Sequence, residues 1–244
     1  MDISVYDTPE QVAAAAAERF VECSQAAVDA RGVCSVALSG GNTPRRVYEL
    51  LATEQFSDRV EWSLVNLFFG DERAVPPDHL DSNYRMVHEA LISRVAIPAA
   101  NVHRLIGEGN PDENARSYED ELKTFFAGLS WPRFDLVLLG MGTDGHTASL
   151  FPGSEALQEK SRWVVATKSQ PSGQERITLT LPVFNHAAKI LFLVTGKEKA
   201  QRLREAVGGW TAVGSQNDLL PAEMVQPVDG KLEWLVDRAA ASLL

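Results

Sequence analysis

Residues 134–154 read FDLVLLGMGTDGHTASLFPGS, an apolar run that ends directly in a turn rich in glycine. Continuous apolar runs of this kind are typical of strands that are buried on both faces of a parallel sheet. The turn after the run carries Asp144 and His146 among small neighbours. A chain that leaves a buried strand and then presents an acid and an imidazole forms either a helix cap or a functional site.

Three further apolar runs repeat this arrangement along the chain. They are VCSVALSGG (33–41), WSLVNLFFG (62–70) and AKILFLVTG (188–196), and each is followed, directly or after a loop, by a helix-like segment. Strands that alternate with helices indicate a parallel sheet with helices on both faces. We therefore predict an α/β fold. Because the chain shows no linker, repeat or low-complexity segment, we expect a single domain over residues 1–244.

Weaker signals complete the predicted fold. Thr8 followed by Pro9 is typical of a helix start, and Gly32 is typical of a helix stop, so a helix is predicted from there to about Arg31. Residues 175–184 (ERITLTLPVF) alternate between apolar and polar side chains, which predicts a half-exposed strand.

The composition argues against several classes of partner. The chain has 23 basic and 33 acidic residues, and its net charge of −10 disfavours nucleic acid and anionic membrane surfaces. Cys23 and Cys34 lack metal or redox spacing, the N-terminus does not resemble a signal peptide, and no apolar run approaches the ~18 residues that span a bilayer. We expect a reduced, cytoplasmic protein that is a monomer or a weak homo-oligomer.

The first glycine-rich strand end, SGGNTPRR, predicts an anion site. Ser39, Gly40 and Gly41 form a turn that leaves backbone N–H groups free, with Thr43 as the expected N-cap and Pro44 as the first helical residue. The spacing differs from that of dinucleotide and nucleoside-triphosphate loops, so a lone phosphate group fits better than a nucleotide. The alternative is a tight turn that needs glycine only for its backbone angles.

Charged residues follow two other strands. GDER places Asp71 and Arg73 after a buried strand, where they form either a salt-bridged loop start or a ligand site in which the arginine faces an anion and the aspartate binds hydroxyls. TGKEK places Lys197 and Lys199 in the first turn of a helix, where a lysine is unfavourable unless it meets an anion, and either could do so. Arg176 begins the half-exposed strand.

His146 is the one histidine of five that lies in a glycine-rich turn after a buried strand. A neutral imidazole is a natural general base near pH 7, and Asp144 could orient the ring or cap the next helix. The chain has no G-x-S-x-G motif and no cluster of residues with metal-ligand spacing. The residues therefore predict water activated by His146, without a metal ion.

Five segments in order resemble the glucosamine-6-phosphate isomerase/6-phosphogluconolactonase family, over nearly the whole chain: LSGGNTP, FFGDERAVPPDHLDSNY, LLGMGTDGHTASLFPG, RITLTLP and TGKEK. The resemblance implies a modified Rossmann-like fold. It also implies hydrolysis of 6-phospho-D-glucono-1,5-lactone to 6-phosphogluconate in the pentose phosphate pathway, with no metal or cofactor. It implies the roles of seven residues: phosphate binding by Ser39, Gly40, Gly41, Arg176 and Lys199, the DER arginine as Arg73, and the base as His146.

The deaminating isomerase branch of the family is the closest alternative. Its DGH segment is followed by a glutamate five positions after the histidine, and here that position is Phe151. Its DEY-type segment is DER here, so Arg73 replaces a tyrosine. Ring opening and isomerisation need the extra carboxylate, whereas lactone hydrolysis needs one base and a polarised carbonyl. A sensor that binds sugar phosphates without turnover is a further alternative.

The sequence leaves two features of this mechanism open. Arg73 could contact the phosphate or polarise the C1 carbonyl, in which case it is catalytic with His146 and Asp144. Loop 74–82 could close over the substrate. We count Asp71 and Thr43 among the substrate-binding candidates.

Overall fold

The computed structural model describes residues 2–169, 172–208 and 219–244. The described residues form ten strands: β1 (Asp2–Tyr6), β2 (Cys34–Leu38), β3 (Val65–Phe69), β4 (Asp71–Arg73), β5 (Val102–His103), β6 (Leu136–Gly140), β7 (Val164–Lys168), β8 (Glu175–Leu179), β9 (Lys189–Val194) and β10 (Lys231–Asp237).

Seven α-helices alternate with these strands in the described ranges: α1 (Pro9–Arg31), α2 (Asn42–Leu51), α3 (Glu54–Ser57), α4 (Asn83–Ala90), α5 (Pro111–Phe125), α6 (Leu181–Asn185) and α7 (Ala200–Gly208). As predicted, Thr8 caps α1 by accepting a hydrogen bond from the Gln11 N–H (3.3 Å), and Gly32 ends the helix with a φ of 71°. Within the described ranges, no helix is both long enough and apolar enough to cross a membrane.

Seven strands form the main sheet in the order β1–β10–β9–β6–β2–β3–β5, and every pairing in it is parallel. From β2 the chain builds outward through β3 to β5. It then returns to the other side of β2 with β6 and builds outward through β9 and β10. The strand order therefore reverses between β2 and β6, where open α/β sheets bind their ligands beyond the carboxyl ends of the strands. The predicted α/β class, with a Rossmann-like parallel sheet flanked by helices, is confirmed.

A second, smaller sheet was not predicted. Strand β8 lies between β4 and β7, and both pairings are antiparallel. The prediction of one half-exposed strand over 175–184 is wrong on two counts: the strand ends at Leu179, and Ile177 to Thr180 are buried. Helix α5 packs against β7 and β8, and the Thr178 hydroxyl accepts a hydrogen bond from the Ser149 backbone N–H (3.4 Å). The polar side chains of Thr178 and Thr180 are therefore buried as well.

The start of α2 also differs from the prediction. Thr43 is not the N-cap, because the helix already begins at Asn42, with Gly41 in the cap position. Gly41 has φ 107° and ψ 167°, a backbone conformation that only glycine adopts without strain. Its carbonyl accepts the first helical hydrogen bond, from the Arg45 N–H (3.0 Å). Pro44 is therefore the third helical residue, where its missing N–H has no partner to lose.

The carboxylate of Glu72 joins β4 to the N-terminus of α4. It is buried and accepts hydrogen bonds from the N–H groups of Asn83 (2.7 Å), Tyr84 (2.8 Å) and Arg73 (2.8 Å) and from the Ser82 hydroxyl (3.0 Å). Burial raises the pKa of Glu72, and the backbone donors oppose that rise. The carboxylate therefore satisfies donors that a helix start otherwise leaves unpaired, and it fixes where α4 begins.

We expect Glu72→Gln to destabilise the protein by about 2–3 kcal/mol, because the new amide turns a donor toward groups that are themselves donors. The matched control is Glu89→Gln on the same helix. Glu89 forms an exposed ion pair with Arg85, so this substitution should leave the free energy of unfolding nearly unchanged. Denaturant unfolding of the three proteins measures both values. Equal stability of the two variants would contradict a capping role for Glu72.

Candidate active site

A cleft of about 550 Å³ lies at the carboxyl ends of β2, β6 and β9. It brings together nine of the ten candidate residues: Ser39, Gly40, Gly41, Thr43, Asp71, Arg73, His146, Arg176 and Lys199. The tenth, Asp144, is not part of the wall but contacts His146. In the ranges that the structure describes, no group of three or more His, Cys, Asp or Glu side chains could hold a metal ion.

The imidazole of His146 is held by Asp144. Its Nδ1 lies 2.5 Å from the Asp144 Oδ1, and the same oxygen accepts the His146 backbone N–H (3.0 Å). Burial raises the pKa of Asp144, but the hydrogen bonds from His146 outweigh this and hold the pKa at about 2. Since the ionised carboxylate only accepts, Nδ1 carries the proton of the neutral ring and Nε2 is left as the basic atom.

Gly142 makes room for this pair. A Cβ on Gly142 would lie 2.2 Å from the His146 Nδ1 and 2.7 Å from the Asp144 Oδ1. The Gly142 N–H donates to the His146 carbonyl (2.8 Å), which closes the turn, and Gly145 has a φ of 86°. Two of the three glycines of GMGTDGH therefore have separate roles: Gly142 permits a close approach and Gly145 permits the turn.

The ring of Phe151 packs against the imidazole ring of His146. The two ring centroids are 4.8 Å apart, the planes are inclined by 45°, and Phe151 is only 4% exposed. The position at which the sequence differs from the isomerase branch thus lies in direct contact with His146. An apolar ring there supplies no carboxylate for proton transfer and keeps part of the imidazole away from water.

The turn after His146 is strained. Ala148 has a φ of 48°, the one non-glycine residue with positive φ in the described chain, and such a conformation costs of order 1–3 kcal/mol. Two side chains hold it in place: the Thr147 hydroxyl donates to the Gly140 carbonyl (2.8 Å) and the Ser149 hydroxyl donates to the Asp71 Oδ2 (2.7 Å). The turn with His146 is thereby tied to both β6 and β4.

Two arginines face each other across the small sheet. Arg73 on β4 lies directly opposite Arg176 on β8, so the two side chains extend from the same face. Each has a buried Nε without a hydrogen-bond partner, although an Arg73 Nη1 donates to the Asp81 carbonyl. Burial lowers the pKa of Arg176, and the charge of Arg73 lowers it further. Two cations placed in this way are suited to binding an anion between them.

The Ser39 turn presents donors to the same cleft. The buried Tyr48 hydroxyl accepts from the Ser39 N–H (3.1 Å) and donates to the Ser39 carbonyl (2.8 Å), which holds the end of β2 in position. The Ser39 Oγ is buried without a partner. The N–H groups of residues 40–43 find no acceptor in the part of the chain that the structure describes. A hydroxyl and several amides at a helix start form a site suited to phosphate.

The TGKEK turn separates its two lysines. Lys199 lines the cleft and Lys197 does not. Gly196, with a φ of 100°, donates its N–H to the buried Asp237 carboxylate at the end of β10 (3.1 Å), which holds the turn. Burial lowers the pKa of Lys199, and nearby carboxylates, Glu198 first, oppose that shift. Among the described residues no carboxylate forms an ion pair with Lys199, so it can meet a ligand anion.

Sequence reasoning did not single out Tyr48, Asn83, Gly142 or Thr195. Thr195 follows β9 directly, and its hydroxyl lies 2.8 Å from that of Thr43, which closes the wall between α2 and the TGKEK turn. Its place after a buried strand was a usable signal. Tyr48 and Asn83 lie within helices, where the pattern shows only which residues are apolar.

Comparisons with known proteins identify the family of this chain. Residues 7–234 match the family model described as glucosamine-6-phosphate isomerases/6-phosphogluconolactonase. A Synechocystis protein named 6-phosphogluconolactonase is 43% identical over 222 residues, 89% of this chain and 88% of the relative. A rice protein named probable 6-phosphogluconolactonase 3, chloroplastic, is 39% identical over 249 residues, 98% of this chain and 75% of the relative. The solved structure of 6-phosphogluconolactonase from Trypanosoma brucei has a TM-score of 0.87 and 30% identity, and covers 100% of this chain and 98% of that chain. The chain therefore belongs to the glucosamine-6-phosphate isomerase/6-phosphogluconolactonase family.

Proposed function

We propose that this protein hydrolyses 6-phospho-D-glucono-1,5-lactone to 6-phosphogluconate. The observation that carries the proposal is the His146–Asp144 pair facing a cleft that also holds Arg73, Arg176 and Lys199. A base beside a cluster of cations suits a neutral ester group on a phosphorylated substrate. The names of the relatives from Synechocystis, rice and Trypanosoma brucei support the same reaction.

The phosphate is bound at the start of α2. The Ser39 hydroxyl and the free N–H groups of residues 40–43 supply donors there, and Lys199 and Arg176 supply charge. Arg73 shares the face of Arg176 in the small sheet, which favours a phosphate contact for Arg73 over polarisation of the carbonyl. These groups hold the lactone ring in one orientation against His146.

His146 then acts as the general base. Its Nε2 takes a proton from water while the water oxygen forms a bond to C1 of the lactone. Among the N–H groups of residues 40–43, which have no acceptor in the described chain, one that the phosphate does not use stabilises the negative charge that develops on the carbonyl oxygen. The bond from C1 to the ring oxygen breaks, and the imidazolium returns its proton to that oxygen. Asp144 holds the ring and stabilises its charged form, and no step requires a metal ion.

We expect His146→Gln to lower kcat about 10²–10⁴-fold while KM changes little, because the base acts on the reacting water and does not bind the phosphate. The assay couples fresh lactone to 6-phosphogluconate dehydrogenase, contains chelator, and is corrected for spontaneous opening. His88→Gln is the matched control, since His88 is exposed on α4. Near-normal turnover by a folded His146→Gln protein would refute the base assignment.

Lys199→Ala should raise KM for the phosphorylated lactone about tenfold or more, since it removes a charged hydrogen bond to the phosphate. The same variant should leave kcat/KM for unphosphorylated glucono-1,5-lactone unchanged. Lys197→Ala, two residues away on the same turn, should behave like the wild type with both substrates. An equal loss of kcat/KM with the unphosphorylated lactone would contradict a contact between Lys199 and the phosphate.

Arg73→Gln tests the remaining choice for this side chain. If Arg73 contacts the phosphate, its loss should weaken kcat/KM about tenfold for the phosphorylated lactone alone, as for Arg176→Gln. The measurement is kcat/KM of both variants with both lactones. A matching loss of kcat with the unphosphorylated lactone would assign Arg73 to the carbonyl oxygen instead.

A further inference from the structure

Asn83 is a buried amide in the wall of the cleft, at the first position of α4. Its Nδ2 donates to the Asp71 carbonyl (2.9 Å) and to the Asp71 Oδ1 (3.3 Å). Both of these atoms are acceptors, so the amide orientation is determined by its partners and Oδ1 faces the other way. The backbone N–H of Asn83 is held by Glu72, which fixes the residue from a second side.

The free oxygen of this amide lies against the Ser39 turn. A Cβ built on Gly40 would lie 1.9 Å from the Asn83 Oδ1, so a glycine is required for the two to approach. No donor in the described part of the chain reaches this oxygen. The Asn83 Oδ1 is therefore a fixed and unused acceptor beside the donors of the Ser39 turn.

Asp71 supplies a second acceptor next to it. The carboxylate is 5% exposed and lines the cleft, and its hydrogen-bond partners in the described chain are the Ser149 hydroxyl (2.7 Å) and the Asn83 amide, both neutral. Among the described residues no arginine or lysine forms an ion pair with it. A buried carboxylate held by neutral donors retains lone pairs that a ligand hydroxyl can fill.

We propose that the Asn83 Oδ1, together with the Asp71 carboxylate, accepts hydrogen bonds from the ring hydroxyls of the lactone, which makes Asn83 a specificity-determining residue. The inference rests on the proposed lactone hydrolysis. Hydroxyl groups can donate to this pair of acceptors, whereas a phosphate dianion cannot. The acceptors and the donors of the cleft therefore bind different groups of the substrate: hydroxyls lie against Asn83 and Asp71, and the phosphate lies against the Ser39 turn, Lys199 and the arginines.

The test compares the 6-phosphorylated lactone with its 2-deoxy, 3-deoxy and 4-deoxy analogues. Wild-type enzyme should lose about tenfold or more in kcat/KM with at least one analogue, because a buried acceptor is then left unpaired. In Asn83→Ala the ratio of kcat/KM for the lactone to kcat/KM for that analogue should fall to about one. The variant lacks the acceptor, so neither substrate can form the hydrogen bond. A general loss of stability lowers all rates together and does not change this ratio.

Asn101→Ala is the matched control. The Asn101 amide also donates to two carbonyls, those of Ser63 (2.9 Å) and Val65 (3.1 Å), but it does not line the cleft. Its discrimination among the analogues should equal that of the wild type. If Asn83→Ala fails to fold, Asn83→Ser, which removes the amide oxygen and leaves only a shorter hydroxyl, is assayed in its place.

The outcomes separate the two proposals. If the wild type does not hydrolyse the phosphorylated lactone, the proposed function fails and this inference fails with it. If the wild type is active but Asn83→Ala keeps the same penalty for every deoxy analogue, only the role of Asn83 is overturned. Calorimetric binding of D-glucitol 6-phosphate and of ethyl phosphate gives a second measurement without turnover: Asn83→Ala should weaken binding of the first about tenfold and leave the second unchanged.

Discussion

Strands β2 and β6 lie side by side in the parallel sheet. After β2 the sheet grows toward one edge through β3 and β5, and after β6 it grows toward the other edge through β9 and β10. Because the sheet is parallel, the chain leaves both strands at the same edge, and the two departing loops leave a gap between them. The Ser39 turn follows β2 and the His146 turn follows β6, so the unpaired N–H donors and the His146 imidazole meet at this gap. The other parts of the cleft, from β9 and from the small sheet, are arranged around that meeting.

Close packing of backbone against side chain sets the distances within the cleft. Gly142 admits the His146–Asp144 pair, and Gly40 admits the Asn83 amide, at separations that a Cβ would prevent. Ala148 adopts a strained backbone because hydroxyl contacts on both sides hold the turn. A strained turn of this kind costs free energy locally, and the buried sheet beneath it supplies the rigidity that keeps the turn in place.

The cleft carries basic side chains although the protein as a whole is acidic. The chain carries a net charge of −10, yet Arg73, Arg176 and Lys199 face the cleft without an ion pair to any described carboxylate. Arg73 and Arg176 are placed opposite each other, and burial together with the charge of Arg73 lowers the pKa of Arg176. Asp71 and Asn83 bring acceptors to the same space, so donors and acceptors are both available to one ligand.

The sequence by itself determined the buried parallel strands, the ends of α1 and the four strand ends that carry the candidate residues. Each of these depends on a local signal: a continuous apolar run, a cap or a glycine. The same signals misplaced the start of α2 and described β8 as half-exposed, because a short stretch of sequence determines neither the conformation of Gly41 nor the packing of α5. The residues alone left Lys197 and Lys199 open, and the family resemblance implied Lys199, which lines the cleft. Only the tertiary structure decided that Arg73 lies opposite Arg176 and that Asn83 reaches Gly40 and Asp71. These contacts join residues on different elements, and their distances depend on how the two sheets pack, which no spacing along the chain specifies.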